Sequence, residues 1–483
     1  MKLLVANRSE IACRIFQTCR ELGIGTVAIA APGDEEARHL TYADQVMAVP
    51  GYLDVEAIVG AAKKSGATLI HPGYGFLSER PVFARAVEKA GMTFVGPRPE
   101  TMELMGEKIA AKELSEKEKI PTLPWARVST GGNLRDAAKK VGFPLLLKAA
   151  AGGGGKGMRR VDLPEALDAA AESAAAEAKA AFGDGTLFLE RLIDRPRHIE
   201  IQVFGDGRGG GVHLHERECS LQRRHQKVWE EATAPNLAEA TRQGLFEASL
   251  RLVKSVKYRS AGTLEFLVDA QGGFYFLEMN TRLQVEHPVT EAVTGVDLVW
   301  AQIAQALAPD DTILRETPAA RGHAIEVRLY AEDPSQGFRP TPGKVERLKW
   351  PTGPGIRVDS GIEEGQTVGT SFDSMLAKLI VHAPTRDYAL ARMRFALEET
   401  LILGLGSNQA YLRAIADSPA VKKGLMDTGL LEREFGAFSP VPSPAALALI
   451  AGAREKGLGV AYRSTGSEGG AKHVSPWEAF GRG

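Results

Sequence analysis

Thr263-Leu-Glu-Phe-Leu-Val-Asp-Ala-Gln-Gly-Gly-Phe-Tyr-Phe-Leu-Glu-Met-Asn280 is the stretch on which the fold turns. Two alternating apolar runs flank a glycine-containing turn, which predicts an antiparallel hairpin. A register symmetric about Gln271 and Gly272 sets Glu265 opposite Glu278. Their Cβ atoms then stand about 5 Å apart, an arrangement that is destabilising unless positive charge lies between them. A divalent cation is the economical answer, and the period of two puts Asn280 on the face of Glu278 as a third oxygen ligand. Oxygen-only donors with phosphate nearby favour Mg²⁺ over Zn²⁺. Two solvated glutamates on an outer sheet face are the alternative.

Downstream, the chain continues Thr281-Arg-Leu-Gln-Val-Glu-His-Pro288. Arg282 can grip a small anion in bidentate fashion, and Glu286 is close enough in sequence to act on that anion as a base. A buried structural ion pair fits the two residues equally well. Upstream, Lys148-Ala-Ala-Ala-Gly-Gly-Gly-Gly-Lys-Gly-Met158 follows the apolar strand Phe143 to Lys148. Four consecutive glycines give up backbone entropy, and a common reason is to let amide N–H groups approach phosphate oxygens. A flexible surface loop is the alternative. The loop is not a Walker A sequence, because Gly157 rather than Ser or Thr follows Lys156, and the acidic residue expected of a dinucleotide fold is missing. Between these stretches, His215 to Lys227 forms a basic run suited to an anion or nucleotide, or to a solvated charged face. His213, His215, Cys219 and His225 lack the paired spacing of a zinc site.

The whole chain sets the frame for these sites. At 483 residues it is too long for a single small module, and 44% apolar with 25% charged residues excludes global disorder. A net charge of -1 makes neither nucleic acid nor an anionic membrane a partner for the chain as a whole. Three scattered cysteines argue for a reducing compartment. The start of the chain lacks the apolar stretch of a signal peptide, and Ala445 to Ala453 is far short of a membrane span, so a cytoplasmic protein is expected. Alternating strands and helices make residues 1–105 a parallel α/β domain, with His71-Pro-Gly-Tyr-Gly-Phe-Leu-Ser-Glu79 at a strand's carboxyl end, where ligands bind. Residues 106–320 form a second domain. Its part from about 120 to 191, with the Ala-rich helix Pro164 to Phe182, reads as a small mobile subdomain. Helices are further expected from Val296 to Leu307 and, in a third unit spanning 321–438, from Arg386 to Leu401. Residues 439–483 read as an accessory tail, partly disordered.

The glycine-rich loop, the basic Gln222-Arg-Arg-His-Gln-Lys227 and the Glu278 to Pro288 run occur in the order seen in the ATP-grasp core of biotin carboxylase. With Ala6-Asn-Arg-Ser-Glu-Ile-Ala12, the His71 to Glu79 loop, Met105-Gly-Glu-Lys108 and Glu326-Val-Arg328, the chain closely resembles that family over about residues 1 to 435. The resemblance implies an α/β (α+β overall) fold: an N-terminal parallel domain, an ATP-grasp domain with a mobile lid, and a C-terminal domain, often in a homodimer. It implies ATP-binding roles for Lys108, Lys148, Gly154, Gly155, Glu190, Ile193, His198, Gln222 and His225. Glu265, Glu278 and Asn280 match the ligands of Mg²⁺ (or Mn²⁺). Lys227, Arg282, Gln284 and Val285 resemble the bicarbonate site, Glu286 the base on bicarbonate, and Arg328 the group that stabilises the biotin enolate. The implied role is the biotin carboxylase subunit of an acetyl-CoA or other acyl-CoA carboxylase, as in fatty acid biosynthesis, or of pyruvate carboxylase. Ser9 departs from the glycine usual in the family, and the stretch around Pro32 to Asp34 is short. With no Ala-Met-Lys-Met sequence in the chain, biotin is expected on a separate carrier protein, with the carboxyltransferase on another chain. Another ATP-grasp ligase would have no need of Arg282 to Glu286 or Arg328. A non-catalytic nucleotide-binding regulator would tolerate loss of the base and metal ligands, all of which are present.

Overall fold

Short apolar runs separated by amphipathic helices leave parallel pairing as the arrangement that buries both. Accordingly Lys2–Val5 (β1), Gly25–Ala30 (β2), Gln45–Ala48 (β3), Leu69–His71 (β4) and Thr93–Phe94 (β5) form a parallel sheet ordered β3-β2-β1-β4-β5. In this computed structural model, which describes residues 1–128, 134–150, 158–183, 185–224 and 226–440, the helix Ser9–Glu21 covers one face of that sheet through Ile11 and Ile15. Val55–Ser65 and Pro81–Lys89 cover the other through Ile58 and Phe83. The strand order reverses between β1 and β4, and a crevice for ligands lies beyond the carboxyl ends at such a point. There Asn7 Nδ2 donates to the carbonyls of Pro72 and Tyr74 at 2.8 and 2.7 Å, shaping the loop that runs to Glu79. Gly73 permits this: its φ is +63°, and a Cβ on it would lie 2.8 Å from Asn7 Nδ2.

The next segment is a four-stranded antiparallel sheet of Trp125–Val128 (β6), Leu145–Ala149 (β7), Arg159–Val161 (β8) and Leu187–Arg191 (β9), ordered β6-β9-β7-β8. The helix Leu167–Phe182 packs on it through Leu167 and Ala174. The glycine run between β7 and β8 lies outside the described residues.

The largest sheet is antiparallel and eight-stranded. It comprises Arg197–Asp206 (β10), Gly211–Arg223 (β11), Gln226–Ala232 (β12), Arg259–Val268 (β13), Phe274–Asn280 (β14) and His323–Tyr330 (β15), with the strands Met375–Ala383 and Ile356–Ser360. Its order is β14-β13-β10-β11-β12-β15, then Met375–Ala383 and Ile356–Ser360. One face is apolar: Ile199, Ile201, Leu264 and Phe266 pack on Leu245 and Leu252 of the helix Glu239–Ser255. The other face is charged, and the candidate metal and bicarbonate residues of β12 to β15 lie on that side.

Several expectations need correction. The helix expected from Val296 to Leu307 is present but starts at Leu298. A helix already runs over His287–Thr294, and a second begins at Leu298, where the Asp297 side chain accepts from the Trp300 N–H at 2.8 Å. The helix expected to reach Leu401 ends at Glu399, and Leu401–Leu403 pairs instead with Arg347–Lys349. The run after His215 is a solvated face only in part: Glu216, Arg217 and Glu218 are fully buried in β11, whereas Arg224 and Gln226 are exposed. Residues Met1–Gly436 form one compact unit. The accessory tail lies outside the described residues beyond Pro440. No helix among the described residues is long and apolar enough to cross a membrane.

Candidate active site

The register of β13 and β14 pairs Thr263 with Asn280 and Glu265 with Glu278. The symmetric turn does not produce it. Asp269 and Gly273 close the turn, so Phe266 pairs with Phe276, and a register shift next to that pair leaves Leu277 as an extra residue. This bulge has a purpose. Strict alternation would put Phe274, Phe276, Glu278 and Asn280 on one face, yet both phenylalanines belong to the core with Phe266. One extra residue lets the aromatic half face the core and the carboxylate half face the site.

Glu265 in turn pairs with Glu200 on β10, and Glu200 with Arg217 on β11. Three carboxylates thus form a row across adjacent strands, which needs cations around it. Lys227 supplies one: its Nζ lies 2.5 Å from Glu200, 2.9 Å from Glu265 and 2.7 Å from Glu286. Burial alone would lower the Lys227 pKa, but Glu200, Glu265 and Glu286 hold it well above the ordinary value. Arg217, fully buried, bonds Glu200, and also Gln202 at 2.7 Å and Thr290 at 2.9 Å. Glu265 Oε1 accepts from Asn280 Nδ2 and Gln284 Nε2, both at 2.9 Å, and its Oε2 lies 3.1 Å from His198 Nε2. Burial would raise the Glu265 pKa, and Lys227 and His198 pull it far down instead. Glu278 differs: burial and then Glu265 push its pKa up, and no described residue hydrogen-bonds to it. A carboxylate held ionised, a second one short of positive charge, and an amide oxygen are a donor set suited to a hard divalent cation.

Glu286 is fully buried between two cations, 2.7 Å from Lys227 and 2.9 Å from Arg328 Nη2. Against the upward push of burial, Lys227, Arg328 and Arg217 hold its pKa well below the carboxylate range. Arg328 also donates from Nε to Glu230 at 2.7 Å. Arg282 does not bond Glu286. Its Nε donates to Glu79 at 3.0 Å and its Nη2 to Asn280 Oδ1 at 3.1 Å, which docks the loop beyond β4 onto the site. The carbonyl of Val285 accepts from Lys378 at 3.0 Å.

On the other flank, Glu190 at the end of β9 takes both Lys148 and Lys112, and all three are buried. Burial lowers the Lys108 pKa and Lys148 adds to this, while Glu278 and Glu190 oppose it. Ile193 is half-buried just past β9. Gln222 Nε2 lies 3.0 Å from His198 Nδ1, which joins both residues to the carboxylate row. Gly154, Gly155 and His225 lie outside the described residues. His213 stacks on Phe246 at 3.8 Å between ring centroids, and His215 Nε2 meets the Pro318 carbonyl at 2.7 Å, so neither joins Cys219 in a zinc set. Sequence reasoning passed over Glu200, Arg217, Glu230, Glu79, Lys112 and Lys378. Glu200 carried a signal, because it alternates with Ile199 and Ile201 on a strand of known period. The others become legible only with the strand order.

Two β-structures that meet around Lys108, Lys148 and Glu190, with a carboxylate hairpin on the larger one, define an ATP-grasp enzyme. Residues 1–102 match the biotin carboxylase N-terminal domain, residues 107–310 the ATP-binding domain of the carbamoyl-phosphate synthase L chain, and residues 326–433 the biotin carboxylase C-terminal domain. The chain is 45% identical over 444 residues to the biotin carboxylase of Pseudomonas aeruginosa, covering 90% of this chain and 98% of that one. It is 46% identical to the mitochondrial methylcrotonoyl-CoA carboxylase subunit alpha of Oryza sativa, covering 89% of this chain and 60% of that subunit. Among solved structures, the biotin carboxylase domain dimer of Hydrogenobacter thermophilus 2-oxoglutarate carboxylase, in complex with MgADP, ADP and bicarbonate, superposes with a TM-score of 0.88 at 43% identity. It covers 91% of this chain and 99% of that one. The chain belongs to the biotin carboxylase family.

Proposed function

We propose that this chain carboxylates biotin at the expense of ATP, with bicarbonate as the carbon source, giving carboxybiotin, ADP and phosphate. The observation that supports this most is Glu286 clamped between Lys227 and Arg328 on the sheet that also carries the metal-type carboxylates. In this reading Lys108, Lys148, Glu190, Ile193, His198, Gln222 and His225 bind the nucleotide, with Gly154 and Gly155 on its phosphates. Glu265, Glu278 and Asn280 hold Mg²⁺ or Mn²⁺, which offsets phosphate charge when bound. Lys227, Arg282, Gln284 and the Val285 backbone hold bicarbonate.

Glu286 then takes the bicarbonate proton. A carboxylate bracketed by two cations is ionised throughout the neutral range but is a weak base. Its basicity rises as Lys227 turns to the bicarbonate anion and Arg328 to biotin. The bicarbonate oxygen attacks the γ-phosphorus, the bond to ADP breaks, and carboxyphosphate forms; the residues contribute positioning and charge. Carboxyphosphate gives CO₂ and phosphate. The phosphate accepts the ureido N–H proton, and the biotin nitrogen bonds to CO₂ while Arg328 stabilises the enolate oxygen. Biotin arrives on a separate carrier protein, a carboxyltransferase on another chain uses the product, and the chain works as a homodimer.

The test is phosphate release from Mg·ATP and bicarbonate, with and without free biotin. Turnover should require bicarbonate and rise with biotin, and Glu286→Gln should lose at least about a hundredfold, the scale of a lost general base. ATP turnover indifferent to both co-substrates would overturn the proposal.

A further inference from the structure

Behind Arg328 the charged face contains a pair of acids that the mechanism does not use. Glu230 on β12 and Glu326 on β15 are direct cross-strand partners, and both are 0% exposed. Their neighbours are fixed. Glu230 Oε1 accepts from Arg328 Nε at 2.7 Å, but Oε2 has no hydrogen-bond partner among the described residues, and neither does Oε1 or Oε2 of Glu326. Three orphaned carboxyl oxygens on facing residues are costly if both groups are ionised, and three such oxygens are rare in a buried site. A proton between them removes two of the three orphans and one of the two negative charges.

We propose that Glu326 is a positioning residue for the biotin step: it carries a proton that it donates to Glu230 Oε2, fixing Glu230 as the singly charged acceptor that aims Arg328. The proposal rests on Arg328 serving biotin. The surrounding charges agree with it. Glu286 faces the pair with negative charge, while Lys378 from the adjacent strand, Arg328 and Lys227 face it with positive charge. Cys219 on β11 and Tyr330 on β15 stand near Glu230 as neutral groups, both pushed up by burial. Burial pushes the Glu326 carboxyl well above the carboxylate range and Glu230 up to about 7, each only partly opposed by its cation. A raised pKa means that the proton is held at neutral pH and lost as pH rises. In alkali the pair then gains a second negative charge beside Glu286, and Arg328 is drawn back toward it, away from biotin.

The test uses the full chain in two ways. In infrared spectra the wild type should show, at neutral pH, a protonated carboxyl C=O band that fades in alkali. Glu326→Gln should lack that component, and Glu230→Gln should shift it, because the Glu326 proton then loses its carboxylate acceptor. In biotin-dependent phosphate release, Glu326→Ala should lower kcat/KM for biotin about tenfold with the KM for ATP within about twofold. Glu326→Gln, which keeps a neutral donor, should recover most of that loss and hold its activity to higher pH than the wild type. A band unchanged in both Gln variants overturns the proposal, as does Glu326→Gln falling as far as Glu326→Ala while folded. If one Gln variant fails to fold, the other decides by its spectrum. A wild type whose ATP turnover ignores biotin sinks the functional reading instead, and leaves the spectroscopic result standing.

Discussion

Ser9 opens the first helix with φ near +60°, a conformation that favours glycine, and its side chain makes no hydrogen bond to a described residue. The neighbour that accommodates it is Gly361, where a Cβ would lie 1.9 Å from Ser9 Oγ. The two positions are therefore coupled across the N-terminal and C-terminal segments. Ser9→Gly should stabilise the protein by about 1 kcal/mol, the scale of one strained residue. Gly361→Ala should destabilise it, and less so in the Ser9→Gly background; a double-mutant cycle read by chemical denaturation should give a coupling of at least about 0.5 kcal/mol. Additivity of the two changes would show that the contact stores no strain. At this scale the sequence carried a good deal. Residue type and spacing picked out Glu265, Glu278, Asn280, Arg282 and Glu286, because carboxylates in register and an arginine beside them are unusual in any sheet. Spacing is silent about Arg217 or Glu230, whose meaning comes from residues 15 to 98 positions away.

Elements obey rules that the sequence shows only in part. Alternation places Glu278 and Asn280 correctly, yet the same alternation carried back to Phe274 fails, because the bulge at Leu277 is set by the need to bury Phe276 beside Phe266 and not by a turn residue. In the same way the helix His287–Thr294 was hidden by its shortness and by the Arg282 to Glu286 chemistry before it. Its position matters to the site through one buried cation. Lys378, with no exposure, sits on the strand Met375–Ala383, 3.3 Å from Glu10 of the first helix and 3.5 Å from Asp359, and donates to the Val285 carbonyl. It thus ties the loop that carries Gln284 and Glu286 to two other elements. Lys378→Met would leave Glu10 and Asp359 buried with one cation fewer, at a cost on the scale of about 3–5 kcal/mol for a broken buried pair. The expected result is a melting temperature lower by several degrees and a raised KM for bicarbonate, with the KM for ATP little changed. Equal losses for both substrates would show that Lys378 supports only the fold.

The whole molecule is joined by its sheet, and no single stretch of sequence announces this. Periodicity gave most strands, but the order β12-β15-(Met375–Ala383)-(Ile356–Ser360) brings together strands from either side of residue 320. Long-range pairing of this kind is decided by which edges remain unsatisfied, a property of the assembled sheet. Two glutamates of β12 show the consequence. Glu231, fully buried, takes His323 at 2.8 Å and Arg386 at 2.7 Å, and Glu230 takes Arg328, so every one of these partners lies beyond residue 320. A fragment ending at residue 320 would expose the β12 edge, leave Glu230 without Arg328 and leave Glu231 with Trp229 Nε1 but neither His323 nor Arg386, although it keeps the whole of the nucleotide-binding segment. That fragment should be insoluble or should bind a hydrophobic dye as an expanded state, whereas the full chain should lose its β12 and β15 amide protection in one cooperative step under hydrogen exchange. A soluble fragment that retains native protection in β10 to β14 would show that the ATP-binding half folds alone, and that the C-terminal strands complete the catalytic face without holding the sheet together.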